Sequence, residues 1–132
     1  MSMLEALLKP ARTVHAHCDL PCGVYDPAQA RIEAESVKAC QEKFAGSDDP
    51  VFRERAIAIK EERATMVKEH LWVLWTDYFK PEHVEKYPQL HELFWNATKE
   101  AGLAKKAVDP AQGQKLLDSI DEIGKIFWET KA

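Results

Sequence analysis

The sequence is short of cysteine, glycine, net charge and long apolar runs, and each shortage removes a class of protein. Three cysteines in 132 residues, Cys18, Cys22 and Cys40, are too few for a disulfide framework. An odd count also suits a reducing compartment where thiols stay free for metal binding, so a cytoplasmic location is expected. Five glycines and seven prolines exclude a low-complexity or collagen-like chain. The formal net charge is −4 and no basic stripe alternates with aromatics, so no nucleic-acid partner is expected. No apolar run approaches the roughly 20 residues that span a bilayer, so no membrane partner is expected either. No segment alternates in the manner of a β-strand.

What is present is a soluble globular composition, with 45% hydrophobic and 30% charged residues, enough for one domain with a real core. Helix starts are marked repeatedly. Asp26-Pro27-Ala28-Gln29 puts a capping carboxylate before a proline at the first helical position, with Gln three residues after the cap. Asp109-Pro110-Ala111-Gln112 repeats that tetrapeptide, Asp49-Pro50 is a third start and Tyr87-Pro88 a fourth. The first helix is expected from about Pro27 to Ala45, with a stripe of Ala30, Ala34, Val37, Cys40 and Phe44. The second runs from Pro50 to about Phe79, with Phe52, Ala56, Ile59, Met66, Val67, His70 and Leu74 inward. The third, after Pro88, shows Leu90, Leu93, Phe94, Ala97, Ala101 and Ala104. The fourth, after Pro110, shows Leu116, Leu117, Ile120, Ile123 and Phe127. Four amphipathic helices with mostly short links predict an all-α four-helix bundle.

The second helix, at about 30 residues or roughly 45 Å, is long. Near its end Leu71-Trp72-Val73-Leu74-Trp75 is apolar around most of the helix, more than one bundle face can cover, so an oligomer is expected. Two stripe positions are charged: Arg63 near the middle of the second helix's apolar face, and Glu33 between Ala30 and Val37. A lone buried charge is costly, and the simplest partner of each is the other; the alternative is that each snorkels to a bundle edge, as arginine does more often than the shorter glutamate. Cys40 and His70 read as core residues, and His83 and His91 as surface ones.

Residues 1–16 stand apart. Met3-Leu4-Glu5-Ala6-Leu7-Leu8 is apolar, followed by Lys9-Pro10-Ala11-Arg12. This is a poor secretory signal, since the apolar stretch is short, carries Glu5 and precedes its basic residues. Taken alone it reads as a frayed helix packed on the body.

The most informative stretch is residues 17–25, His17-Cys18-Asp19-Leu20-Pro21-Cys22-Gly23-Val24-Tyr25. Two thiols four residues apart, bent by Pro21 and Gly23 with a histidine beside the first, can close on one soft metal ion. A Cys18–Cys22 disulfide is sterically possible. The spacing has one residue too many for a C-x-x-C redox pair. A zinc site using His15 and His17 is open too, although structural zinc usually draws ligand pairs from separate elements.

This hook, followed by Asp26-Pro27-Ala28, resembles the mature N-terminus of nickel superoxide dismutases. The likeness continues through Trp75-Thr76-Asp77-Tyr78-Phe79-Lys80-Pro81 and Lys125-Ile126-Phe127-Trp128-Glu129-Thr130-Lys131, and so covers nearly everything from His17 onward. The resemblance implies a four-helix domain of residues 17–132 behind a leader, residues 1–16, removed by a maturation protease that cuts Ala16–His17. It implies one nickel ion per subunit, held by the freed amine and ring of His17, the amide nitrogen and thiolate of Cys18, and the thiolate of Cys22. Glu33 and Arg63 match the family's partners of the histidine ring, and Tyr25 and Tyr78 its aromatic pair near the open face. The implied activity is an antioxidant oxidoreductase's, converting superoxide to dioxygen and hydrogen peroxide between nickel(II) and nickel(III), in a homohexamer.

Two other readings compete. A nickel, copper or zinc carrier or sensor could use the same hook without turnover, and a helical interaction module could carry the thiols incidentally. Since a negative chain does not draw an anion globally, any steering of superoxide falls to local lysines, with Lys80 beside Tyr78 a candidate.

Overall fold

A computed structural model describes residues 23–132. Each expected Asp-Pro start forms in the same way. The carboxylates of Asp26, Asp49 and Asp109 accept hydrogen bonds of 2.9, 3.0 and 2.9 Å from the N–H groups of Ala28, Val51 and Ala111. Proline meanwhile fills a position whose N–H has no intrahelical partner. The glutamine of the repeated tetrapeptide is used differently from a capping box: Gln112 donates its side-chain amide to Glu100 O at 2.8 Å, tying two helices together.

The helices are α1 (Ala28–Ala45), α2 (Pro50–Val73), α3 (Pro81–Lys86), α4 (Leu90–Lys106) and α5 (Pro110–Lys131). The four long ones form a closed ring in which α1 packs on α2, α2 on α4, α4 on α5, and α5 back on α1. The expected four-helix bundle is present. The second helix differs from expectation at its end, where α2 passes into a π-helical turn, Leu74–Tyr78, closed by Phe79 N–H on Leu74 O at 3.0 Å. The Thr76 hydroxyl donates to Trp72 O at 2.7 Å, engaging the carbonyl that its own N–H takes in an α-helix. Lys80 is then extended, as a residue before proline must be, and Pro81 starts α3 instead of merely ending α2.

The expected stripes of α4 and α5 are inside, centred on Leu90, Phe94, Leu116, Ile120, Ile123 and Phe127. The stripe of α2 is rotated from the expected one. Its buried face is Ala56, Lys60, Ala64, Val67 and Leu71, whereas Phe52 and Ile59 are 39% and 40% exposed. The reason is Lys60, a charge that hydropathy assigns to solvent. It is 2% exposed, and its Nζ donates to Lys105 O at 3.0 Å and Ala107 O at 2.6 Å. It thus caps the C-terminal end of α4, where unpaired carbonyls and the helix dipole favour a cation. Burial pushes its pKa down from the ordinary lysine value. Gln41, equally buried in α1, donates to the same Ala107 O at 3.3 Å.

Gly113 lets α5 approach α1 beside Gln41. A Cβ built there lies against Gln41 Oε1 and 2.9 Å from both Lys38 Cα and Lys38 Cβ, and a backbone atom cannot rotate away. Alanine favours a helix by about 1 kcal/mol over glycine, but overpacking costs about 1–3 kcal/mol. The Gly113→Ala chain is therefore expected to melt below the parent. A rise in melting temperature would show that the helices separate at little cost.

Candidate metal centre

His17, Cys18 and Cys22 lie outside the described residues, as does the leader, residues 1–16. The described structure shows where the hook is delivered. Gly23, directly after Cys22, has φ +73°, a left-handed conformation that glycine adopts without the penalty a side chain imposes. No atom of the described residues lies within 4 Å of its missing Cβ, so among them the requirement is conformational and not steric. Tyr25 then turns onto the core, Asp26 caps α1, and the buried Pro27 ring packs over Gly124 of α5. The chain that carries the thiols therefore arrives at the N-terminal end of α1.

Two of the expected pairings form there. Tyr25 and Tyr78 face each other with ring centroids 5.7 Å apart at 56°. Tyr78 comes from the π-helical turn and is wedged against Phe127 at 4.4 Å and His83 at 5.7 Å, the latter nearly parallel at 11°. Around the tyrosines lies a cavity of about 420 Å³, lined in part by Gly23, Lys80, Thr130 and Lys131. Because Gly23 is one of its walls, the cavity adjoins the hook.

The second pair joins α1 to α2. Arg63 Nη1 lies 3.2 and 3.4 Å from the carboxylate oxygens of Glu33, within one chain. Arg63 sits at the edge of the buried face and not in its middle, its side chain 37% exposed against 13% for Glu33. The face of α2 is rotated by Lys60, which leaves the longer guanidinium at the rim, where it also meets Met66 Sδ at 3.6 Å. The carboxylate is the better shielded partner.

Other expectations need correction. His83 is partly buried and structurally engaged: it stacks on Tyr78, and its Nδ1 accepts a 3.0 Å hydrogen bond from Lys80 N–H. His91 is exposed as expected, with its ring edge-on to Trp75 at 5.6 Å. Cys40 is only half-buried, and burial nevertheless pushes its thiol pKa up, against the pull of Arg63, Lys43 and Lys60. A raised pKa keeps it a protonated, unreactive thiol. Thr130 and Lys131, which also line the cavity, were not singled out by sequence; four-residue spacing placed them on no apolar face.

Among the described residues, no three His, Cys, Asp or Glu side chains cluster closely enough to hold a metal ion. The hook's sequence offers one histidine and two thiols, soft and electron-releasing donors, directly ahead of a glycine turned as a tight loop requires. That chemistry fits a thiophilic transition metal.

Comparison with known proteins agrees. The family described as nickel-containing superoxide dismutase matches residues 12–131. The nickel superoxide dismutase of Streptomyces coelicolor is 65% identical over 129 residues, 98% of each chain. A solved native nickel superoxide dismutase is 67% identical with a TM-score of 0.85, covering 87% of this chain and 98% of its own. A solved apo form of such an enzyme is 65% identical with a TM-score of 0.81, covering 83% of this chain and 98% of its own.

Proposed function

This chain belongs to the nickel-containing superoxide dismutase family, and from that membership we propose how its residues carry the reaction. The activity is dismutation of superoxide, the cofactor is nickel, and the protein is an oxidoreductase. The carrier and interaction-module readings give way to turnover.

His17 would hold the metal by its amine and ring, Cys18 by its amide nitrogen and thiolate, and Cys22 by its thiolate, one nickel per chain. Nickel supplies one-electron exchange between its divalent and trivalent states, which thiolate and amidate donors bring within reach. The observation that carries the assignment is the left-handed turn at Gly23, which opens the hook beside the Tyr25–Tyr78 cavity. The Glu33 carboxylate, held by Arg63, would accept the ring N–H of His17 and so fix its tautomer and orientation. Tyr25 and Tyr78 narrow the approach to a small anion and keep bulkier oxidants from the thiolates. Lys80 and Lys131 line the cavity and offset locally the net charge of −4.

Residues 1–16 act as a leader cut at Ala16–His17. Supporting this, the curated relative spans 98% of this chain, whereas the solved native form spans 87%. The exposure of Trp72, Trp95 and Trp128, at 50%, 59% and 55%, supports assembly, which we take to be a homohexamer. The need for reduced thiols in the hook supports a cytoplasmic location. None of the described helices is long and apolar enough to cross a membrane.

X-ray absorption at the nickel edge of protein beginning at His17 tests the ligand set. Two sulfur donors with nitrogen completing the shell are expected; a shell of oxygen and nitrogen alone overturns it.

A further inference from the structure

Tyr78 is held more tightly than packing alone requires. Its ring is bounded by Phe127, Phe79 and His83, and its phenolic oxygen lies 2.6 Å from the Thr130 hydroxyl. Thr130 in turn donates to Phe127 O at 2.5 Å, the back-bond of a helical threonine to the carbonyl three residues earlier in α5. A hydroxyl has one hydrogen to give. Since Thr130 gives its own to the carbonyl, the bond between the two hydroxyls runs one way: Tyr78 donates and Thr130 accepts.

From this chain of bonds we infer that Thr130 is a positioning residue for superoxide dismutation: it fixes the Tyr78 phenol and accepts its hydrogen bond, so that Tyr78 faces the cavity as a hydrogen-bond acceptor. The inference rests on Tyr78 standing at the mouth of the metal site, as proposed above. The relay Tyr78 to Thr130 to Phe127 O ends on a backbone carbonyl and leads to no proton source. Protons for peroxide formation therefore do not come from Tyr78 in this arrangement. Water admitted to the cavity can donate to the phenolic oxygen and is oriented by it. The same hydrogen bond sets the ring beside Tyr25, 5.7 Å away, and hence the width of the approach.

Thr130→Val removes the hydroxyl and keeps the shape, and Thr130→Ser keeps the hydroxyl. In nickel-loaded protein, Thr130→Val is expected to change the rate constant for superoxide decay by about three- to tenfold, the range that one hydrogen bond spans. Thr130→Ser is expected to restore it. In a Tyr78→Phe background, Thr130→Val should have no further effect. Independently of turnover, proton NMR of the metal-free protein should show a slowly exchanging Tyr78 hydroxyl in the parent and in Thr130→Ser, absent in Thr130→Val.

The inference is overturned if Thr130→Val changes the rate equally with and without the Tyr78 hydroxyl, or if the slow hydroxyl survives the substitution. A Tyr78→Phe chain with parental kinetics sinks the placement of Tyr78 at the mouth. The NMR measurement then still decides whether Thr130 holds the phenol.

Discussion

Replacing Cys18 or Cys22 with serine is expected to abolish nickel retention and superoxide turnover together while leaving the bundle folded. A serine hydroxyl stays protonated at neutral pH and is a hard donor, so the substitution removes both the negative charge and the electron release of a thiolate. Losing a residue that merely supports a ligand costs metal sites about 10–100-fold in affinity or activity. Losing a ligand itself should exceed that range. The core holding the helices together begins at Ala30, beyond the hook, so melting of the metal-free variants should match that of the metal-free parent. Cys40→Ser is the internal control, because Cys40 lies half-buried in α1 and is no member of the proposed ligand set. It should retain nickel and activity. Elemental analysis beside a superoxide decay assay checks all three variants, and parental nickel content in Cys18→Ser would remove the hook from the metal site.

Blocking cleavage at Ala16–His17 should be as damaging, for a different reason. While Ala16 is attached, the nitrogen of His17 belongs to a peptide bond, its lone pair delocalised into the carbonyl. It cannot serve as an amine ligand. Full-length chain with an uncleavable junction is therefore expected to lack nickel-dependent activity, with a loss of more than about 100-fold, beyond the range seen when only a supporting partner is lost. Cutting the same preparation to expose His17 should restore it. The mass of the N-terminal peptide, read alongside activity before and after cutting, decides the matter. An active preparation with residues 1–16 intact would mean that the amine is not a ligand.

How much of this was legible beforehand depends on whether the physics is local. Capping is local: Asp26, Asp49 and Asp109 announced three helix starts because a carboxylate before proline satisfies the first free N–H groups without help from the rest of the fold. The inward faces of α4 and α5 were equally plain, being apolar residues at helical spacing. The face of α2 was misjudged because Lys60 is inside for a non-local reason, the carbonyls at the end of α4, which no periodicity reveals. Hydropathy points Phe52 and Ile59 inward in its place. The short helix α3 and the π-helical turn were missed because Pro81 reads equally well as a stop or a start.

Within the site, Glu33 and Arg63 were found from two charges on apolar faces, each needing the other. Their distance within one chain came from the structure, and a role beside the histidine ring came only from resemblance. Tyr25 and Tyr78 likewise owe their prominence to resemblance, since 53 positions separate them and spacing links them to nothing. His83 and Thr130 had no sequence signal: each matters through the ring of Tyr78, and both contacts depend on how α3 and α5 fold back on the end of α2.

The π-helical turn at Leu74–Tyr78 makes this end of the molecule sensitive to length and not only to composition. A widened turn holds one residue more than an α-helical turn, and each α-helical residue advances the side-chain direction by about 100°. Deleting a single residue between positions 74 and 77 would relax the segment into a more regular helix and swing the phenol away from its opposite number. Such a chain would keep nearly every side chain that forms the entrance, yet its two aromatic jambs would no longer face one another.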